Sequence, residues 1–171
     1  MKRSLSLLAV VAVIAVAAVA LSAGGTDDDP TESDEAGLDL ALAYLDGTAG
    51  NVSDFRGRPV VLNFWASWCP ACVAELPDFE QVHREQGDGV VFIGMNMQEV
   101  DRAAAEALIA ESGVTYLLAD DPDGAAFRRF GGIAMPTSVF ITADGVVADV
   151  HGGALFADDL TAKIREELLE S

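Results

Sequence analysis

Cys69 and Cys72 are the only cysteines in a chain of 171 residues, and their setting limits the fold more than any other feature. Val60-Val61-Leu62-Asn63-Phe64-Trp65 runs into the pair as a mainly apolar stretch, and an amphipathic stretch from Val73 to about Glu85 runs out of it. A continuous apolar run of this kind marks a strand buried on both faces, which calls for a parallel sheet covered by helices. A strand ending near Ala66 and a helix starting at Pro70 place Cys69 at the helix N-terminus. Proline costs nothing there, because its missing N–H would have been unpaired anyway. Free N–H groups and the positive end of the dipole favour a thiolate at that position, so Cys69 is the attacking sulfur. Cys72 lies one turn later on the same face and reaches Cys69 to close a disulfide or to resolve a mixed one.

Four chemistries use such a pair. Structural zinc wants four ligands; there is no second cysteine pair, and His83 and His151 stand far apart in sequence. An inert disulfide between cysteines three apart closes too short a loop to constrain much. Copper held by both thiolates and a methionine is a third reading, and redox exchange, the favoured one, is the fourth.

Residues 1–26 form a membrane anchor or signal segment. Met1-Lys2-Arg3 is basic, and Leu5 to Ala23 carries no charge; as a helix it spans roughly 28 Å, near the ~30 Å hydrocarbon core. A retained anchor is the first expectation. Cleavage after Ala20 or Ala23 is the alternative, since both ends suit a signal peptidase and signal peptides carry shorter apolar regions. Either way the domain is exported, with the basic residues inside. Residues 27–36, which include Asp27-Asp28-Asp29-Pro30, are too acidic and too poor in apolar side chains to pack, and read as a flexible linker. The globular domain is expected over 37–171.

With 28 acidic and 10 basic residues the net charge is −18; without Lys2 and Arg3 it is 8 − 28 = −20. Such a surface argues against nucleic acid and anionic lipid headgroups as partners. Lys163 is the only lysine outside the N-terminus, and an acid-rich, lysine-poor surface also fits a high-salt environment.

Along the domain, the alternation in Leu38 to Tyr44 predicts a strand and Asp46-Gly47 a hairpin turn, forming an N-terminal extension laid on the main sheet. Strands are predicted over 59–66, 90–97 and 114–119, with helices over 70–85, 101–113 and 125–130 between and after them. Strands 137–142 and 146–151, joined by Ala143-Asp144-Gly145, and a helix over 157–169 complete the order. Pro77 should kink the first helix. The pattern is α/β, a parallel βαβ core completed by an antiparallel hairpin.

Asn63 to Cys72 followed by Glu75-Leu76-Pro77, together with Met135-Pro136-Thr137 before a later strand, resembles the thioredoxin superfamily. Within it the chain is similar to the TlpA/ResA-like membrane-anchored thiol-disulfide oxidoreductases, which include cytochrome c maturation proteins. The resemblance covers about Gly37 to the end. It implies a thioredoxin-like fold, a redox-active Cys69–Cys72 disulfide, a cis-proline at Pro136 facing the dithiol, and no metal or cofactor. Asn63 stands where cytosolic thioredoxins carry a buried Asp that moves the proton of the second cysteine, and an amide cannot do this. The resemblance gives that acid/base role to Glu75 instead.

Trp68 is expected as a partly exposed rim on the dithiol, and Met135, Pro136 and Thr137 as a substrate lip with backbone for an extended chain. Trp65, Met95 and Met97 are expected in the core, and His83 on the exposed side of its helix. The implied partners are a thiol or disulfide protein and a membrane electron donor such as a transmembrane thiol-disulfide transporter. Reduction of protein disulfides, for cytochrome c maturation or in general, is the first expectation and disulfide formation the second. A copper metallochaperone using Cys69, Cys72 and Met135 is the alternative of another class.

Overall fold

The computed structural model describes residues 39–170; the expected anchor over 1–26 and the linker over 27–36 lie outside them. No helix among the described residues is long and apolar enough to cross a membrane. Seven strands form one mixed sheet: β1 (Ala41–Tyr44), β2 (Ala49–Asn51), β3 (Val60–Trp65), β4 (Val91–Met97), β5 (Leu117–Asp121), β6 (Thr137–Ile141) and β7 (Val147–Gly152). Their order across the sheet is β2-β1-β5-β4-β3-β6-β7. β3, β4 and β5 run parallel, and β1, β6 and β7 pair antiparallel with their neighbours. The crossovers are α1 (Pro70–Gln86) and α2 (Arg102–Ser112); α3 (Ala125–Arg129) follows β5, and α4 (Ala157–Ile164) ends the chain, with a wider turn over Arg165–Leu169.

β3 is buried along its whole length and divides its side chains by the two-residue period of a strand. Val61 and Trp65 join Phe79, Phe92, Phe140, Leu160 and Ile164 in one core layer. Val60, Leu62 and Phe64 join Ile93, Met95, Val139 and Ile141 in the other. Asn63 thereby falls on the face of Val61 and Trp65, toward α1. Gly94 is required on that same face: a Cβ there would lie 2.9 Å from Trp65 Nε1 and 2.8 Å from Leu118 Cδ2. The N-terminal hairpin joins the sheet as expected, through β1 pairing with β5.

Several boundaries differ from the sequence reading. The third parallel strand begins at Leu117 rather than Val114, because Glu80 draws off Thr115, accepting from its N–H and its hydroxyl at 2.7 Å each. It extends to Asp121, whose carboxylate turns the chain into α3 by accepting from Ala126 and Phe127 N–H. α1 runs on through Pro77, and Val73, which begins the amphipathic stretch, is 39% exposed. His83 is half-buried rather than exposed: its ring packs 5.4 Å from Phe92 and 5.6 Å from Tyr116. Trp65, Met95 and Met97 are buried as expected.

Candidate active site

The parallel strands deliver their C-terminal ends to one side of the sheet, and the antiparallel β6 starts there, with Thr137 opposite Phe64. Between β3 and α1 the chain turns through Ala66, Ser67 and Trp68 to Cys69, the N-cap of α1, with Pro70 in the first helical turn. The Cys69 sulfur accepts from Cys72 N–H at 3.2 Å and is joined to the Cys72 sulfur in a disulfide. Cys69 is 5% exposed and Cys72 fully buried, so the sulfur expected to attack is the one nearer solvent. Trp68 stands 46% exposed beside it, with its indole N–H donated to Gln98 O at 3.2 Å.

Glu75 follows Cys72 by one turn of α1 and is wholly buried. Its Oε1 accepts from Asn63 Nδ2 at 2.8 Å and its Oε2 from Leu155 N–H at 2.9 Å. Burial pushes its carboxyl up from 4.5 to about 7, and those two hydrogen bonds offset only part of the rise. The carboxyl therefore exchanges its proton near neutrality. Asn63 Nδ2 also donates to Ser138 Oγ at 3.3 Å, while Asn63 Oδ1 has no partner. Turning that amide over presents Oδ1 to a protonated Glu75, so either charge state of the carboxyl finds a match.

The remaining expected residues meet at the same end of the sheet. The Met135-Pro136 peptide bond is cis; Pro136 O accepts from Gly153 N–H at 2.9 Å and Thr137 Oγ1 donates to Ala134 O at 2.6 Å. Met135 is half-buried and packs on the core layer that contains both cysteines. His151, assigned no role, lies on β7 opposite Ser138.

One residue that holds the approach to Cys69 escaped the sequence reading. Glu99, in the loop after β4, accepts from Ser67 N–H and Ser67 hydroxyl, both at 2.9 Å. An acid just past a strand end next to the helix cap Asp101 is the only local signal, and it does not reveal a partner 32 positions earlier. Among the described residues no group of three or more His, Cys, Asp or Glu is placed to hold a metal ion.

The sequence profile of the Redoxin family matches residues 27–163. The chain is 28% identical over 129 residues to the thiol-disulfide oxidoreductase ResA of Bacillus thuringiensis, covering 74% of each protein. It is 29% identical over 129 residues to the soluble secreted antigen MPT53 of Mycobacterium tuberculosis, covering 74% of this chain and 73% of that one. Among solved structures, a secreted Mycobacterium tuberculosis disulfide oxidoreductase homologous to Escherichia coli DsbE superposes with a TM-score of 0.67 at 27% identity. That match covers 74% of this chain and 95% of the other.

Proposed function

The chain belongs to the Redoxin family and is a thiol-disulfide oxidoreductase of thioredoxin-like fold, and from that premise we propose that it acts outside the cytoplasm as a reductase of protein disulfides. The observation that carries the chemistry is the Cys69–Cys72 pair at the N-terminus of α1, with a buried carboxyl poised near neutrality one turn further along the same helix. In the first step the Cys69 thiolate attacks a substrate disulfide: a Cys69–substrate S–S bond forms, the substrate bond breaks, and one substrate sulfur leaves as a thiolate. Cys72 then passes its proton to Glu75 and attacks Cys69. The Cys69–Cys72 disulfide forms, and the second substrate sulfur leaves, two electrons having reached the substrate.

The substrate segment lies extended along the Met135-Pro136-Thr137 lip, with Trp68 as the opposite rim. Trp68 after β3, Val100 after β4, Ile133 before β6 and Phe156 after β7 are exposed apolar side chains near strand ends on the Cys69 side of the sheet, and Val73 is exposed in the first turn of α1, which suits an unfolded chain. Export is supported by the basic-then-apolar N-terminus and by the secreted character of the chain's mycobacterial matches. Retention of that segment as an anchor places the domain beside a membrane electron donor, which returns the disulfide to the dithiol. An apocytochrome c is the first substrate to try.

Trapping tests the roles. Cys72→Ser should accumulate long-lived mixed disulfides with protein substrates and Cys69→Ser should form none; equal trapping by both refutes the assignment. Equilibration with glutathione tests the direction. A reductase should sit near the ~−270 mV of thioredoxin, and a potential near ~−120 mV would make the protein an oxidant.

A further inference from the structure

Glu99 takes no part in the exchange chemistry above, yet its carboxylate accepts five hydrogen bonds. Oε2 accepts from Ser67 N–H at 2.9 Å and Asn96 Nδ2 at 3.3 Å; Oε1 accepts from Ser67 Oγ at 2.9 Å, Val100 N–H at 2.9 Å and Asp101 N–H at 3.0 Å. A carboxylate offers about four lone-pair sites, so this one is saturated. Partial burial works against its charge, but the bonds from Ser67, Asp101 and Asn96 prevail and hold the carboxyl down to about 2. The same loop grips the next residue too, since Gln98 O accepts from the Trp68 indole. Gln98 does so from φ +47°, the only positive φ of a non-glycine among the described residues and an uncommon conformation for such a residue.

The two residues in front of Cys69 are thus held by backbone, hydroxyl and ring against the loop after β4. That attachment matters because helix N-terminal stabilisation of a thiolate fades within the first turn. It requires the sulfur to stay over the free N–H groups, as it does at 3.2 Å from Cys72 N. We propose that Glu99 is the positioning residue of Cys69, tying the Ser67–Trp68 approach so that the sulfur stays over the N-terminus of α1. The proposal rests on the reading of Cys69 as the attacking sulfur.

Charge and position act on the thiol with opposite sign. Glu99 as a nearby anion disfavours a thiolate, so removing its charge alone makes Cys69 more acidic. Losing the position makes Cys69 less acidic, because the helix terminus no longer serves it. The other charged or titratable groups on the segments round the site are Glu75 on α1, Asp101 and Arg102 beside Glu99, Asp120, Asp121 and Asp123 on the segment that Gln98 and Arg102 bond to, and His151 on β7 opposite Ser138; residues 131–138 and 152–157 contribute none.

The test is the pH dependence of iodoacetamide alkylation of the reduced full chain, with the label located by tandem mass spectrometry and folding checked by circular dichroism. Glu99→Gln removes the charge and one acceptor, whereas Glu99→Asp keeps the charge and shortens the reach. Both should move the Cys69 midpoint up by about half a pH unit or more, roughly a threefold loss of thiolate at a fixed pH below the midpoint. Ser67→Ala deletes only the hydroxyl bond and should give a smaller rise. An unchanged or lowered midpoint in a folded Glu99 variant overturns the proposal. Should neither variant fold, an unchanged midpoint in Ser67→Ala overturns it. Label appearing first on Cys72 would instead bring down the underlying assignment of the attacking sulfur.

Discussion

Replacing Glu75 by Gln should make the protein more tolerant of alkaline pH, by an amount the site geometry sets. The folded protein holds this carboxyl at about 7 against 4.5 when free. Its folded value is raised, so its contribution to stability is complete below 4.5 and is lost as pH rises through about 7. At about 1.4 kcal/mol for each pH unit between the two values, the loss approaches about 3 kcal/mol at high pH, most of it between pH 5 and pH 8. The glutamine side chain of Glu75→Gln cannot ionise. Its amide oxygen still accepts from Leu155 N–H, and its NH2 group can donate to Asn63 Oδ1, now without a partner, once the Asn63 amide turns over.

Urea unfolding of the oxidised forms at pH 5, 6, 7 and 8 measures the difference between wild type and variant, in which the titration of the many surface carboxylates cancels. Stability of wild type relative to variant should fall by roughly 2–3 kcal/mol across that range. A flat difference would refute the raised titration of Glu75. The same variant should lose a substantial part of the exchange rate near neutrality and show an altered pH–rate profile, as expected of a proton acceptor for Cys72. A wild-type rate and profile would reduce Glu75 to a structural residue.

Asn63→Asp brings a second carboxyl to the position now 2.8 Å from Glu75 Oε1. The pair should share one proton well above pH 7, visible as a carboxyl titration in carbonyl-labelled NMR spectra; two carboxyls titrating near the ordinary ~4 would show that the site is not the dry one described here. For the N-terminus, mass spectrometry of the protein from its native membrane should find residues 5–23 retained, and a mature chain beginning at Leu21 or Gly24 refutes the anchor.

The sequence alone was sufficient for the strand-CxxC-helix unit, for the succession of strands along the chain and for the exposed Trp68, because each rests on local patterning, whereas the order of the strands across the sheet came only with the structure. A short apolar run bounded by turn residues favours a buried strand, and proline right after Cys69 suits the first turn of a helix. The motif resemblance picked out Glu75 and the Met135-Pro136-Thr137 segment with its cis peptide bond, but the residues themselves did not say whether Glu75 was solvated. That depended on Leu155, 80 positions later, covering the carboxylate and donating to it. Thr115 left its expected strand for Glu80, 35 positions away. His83 found Phe92 and Tyr116 instead of solvent, and Glu99 found Ser67. In each case a polar group met a partner, or an apolar wall, from a distant element. Periodicity fixes which face of an element a residue occupies, whereas desolvation and hydrogen bonding depend on what the packed elements bring against that face, and only the tertiary structure decides this.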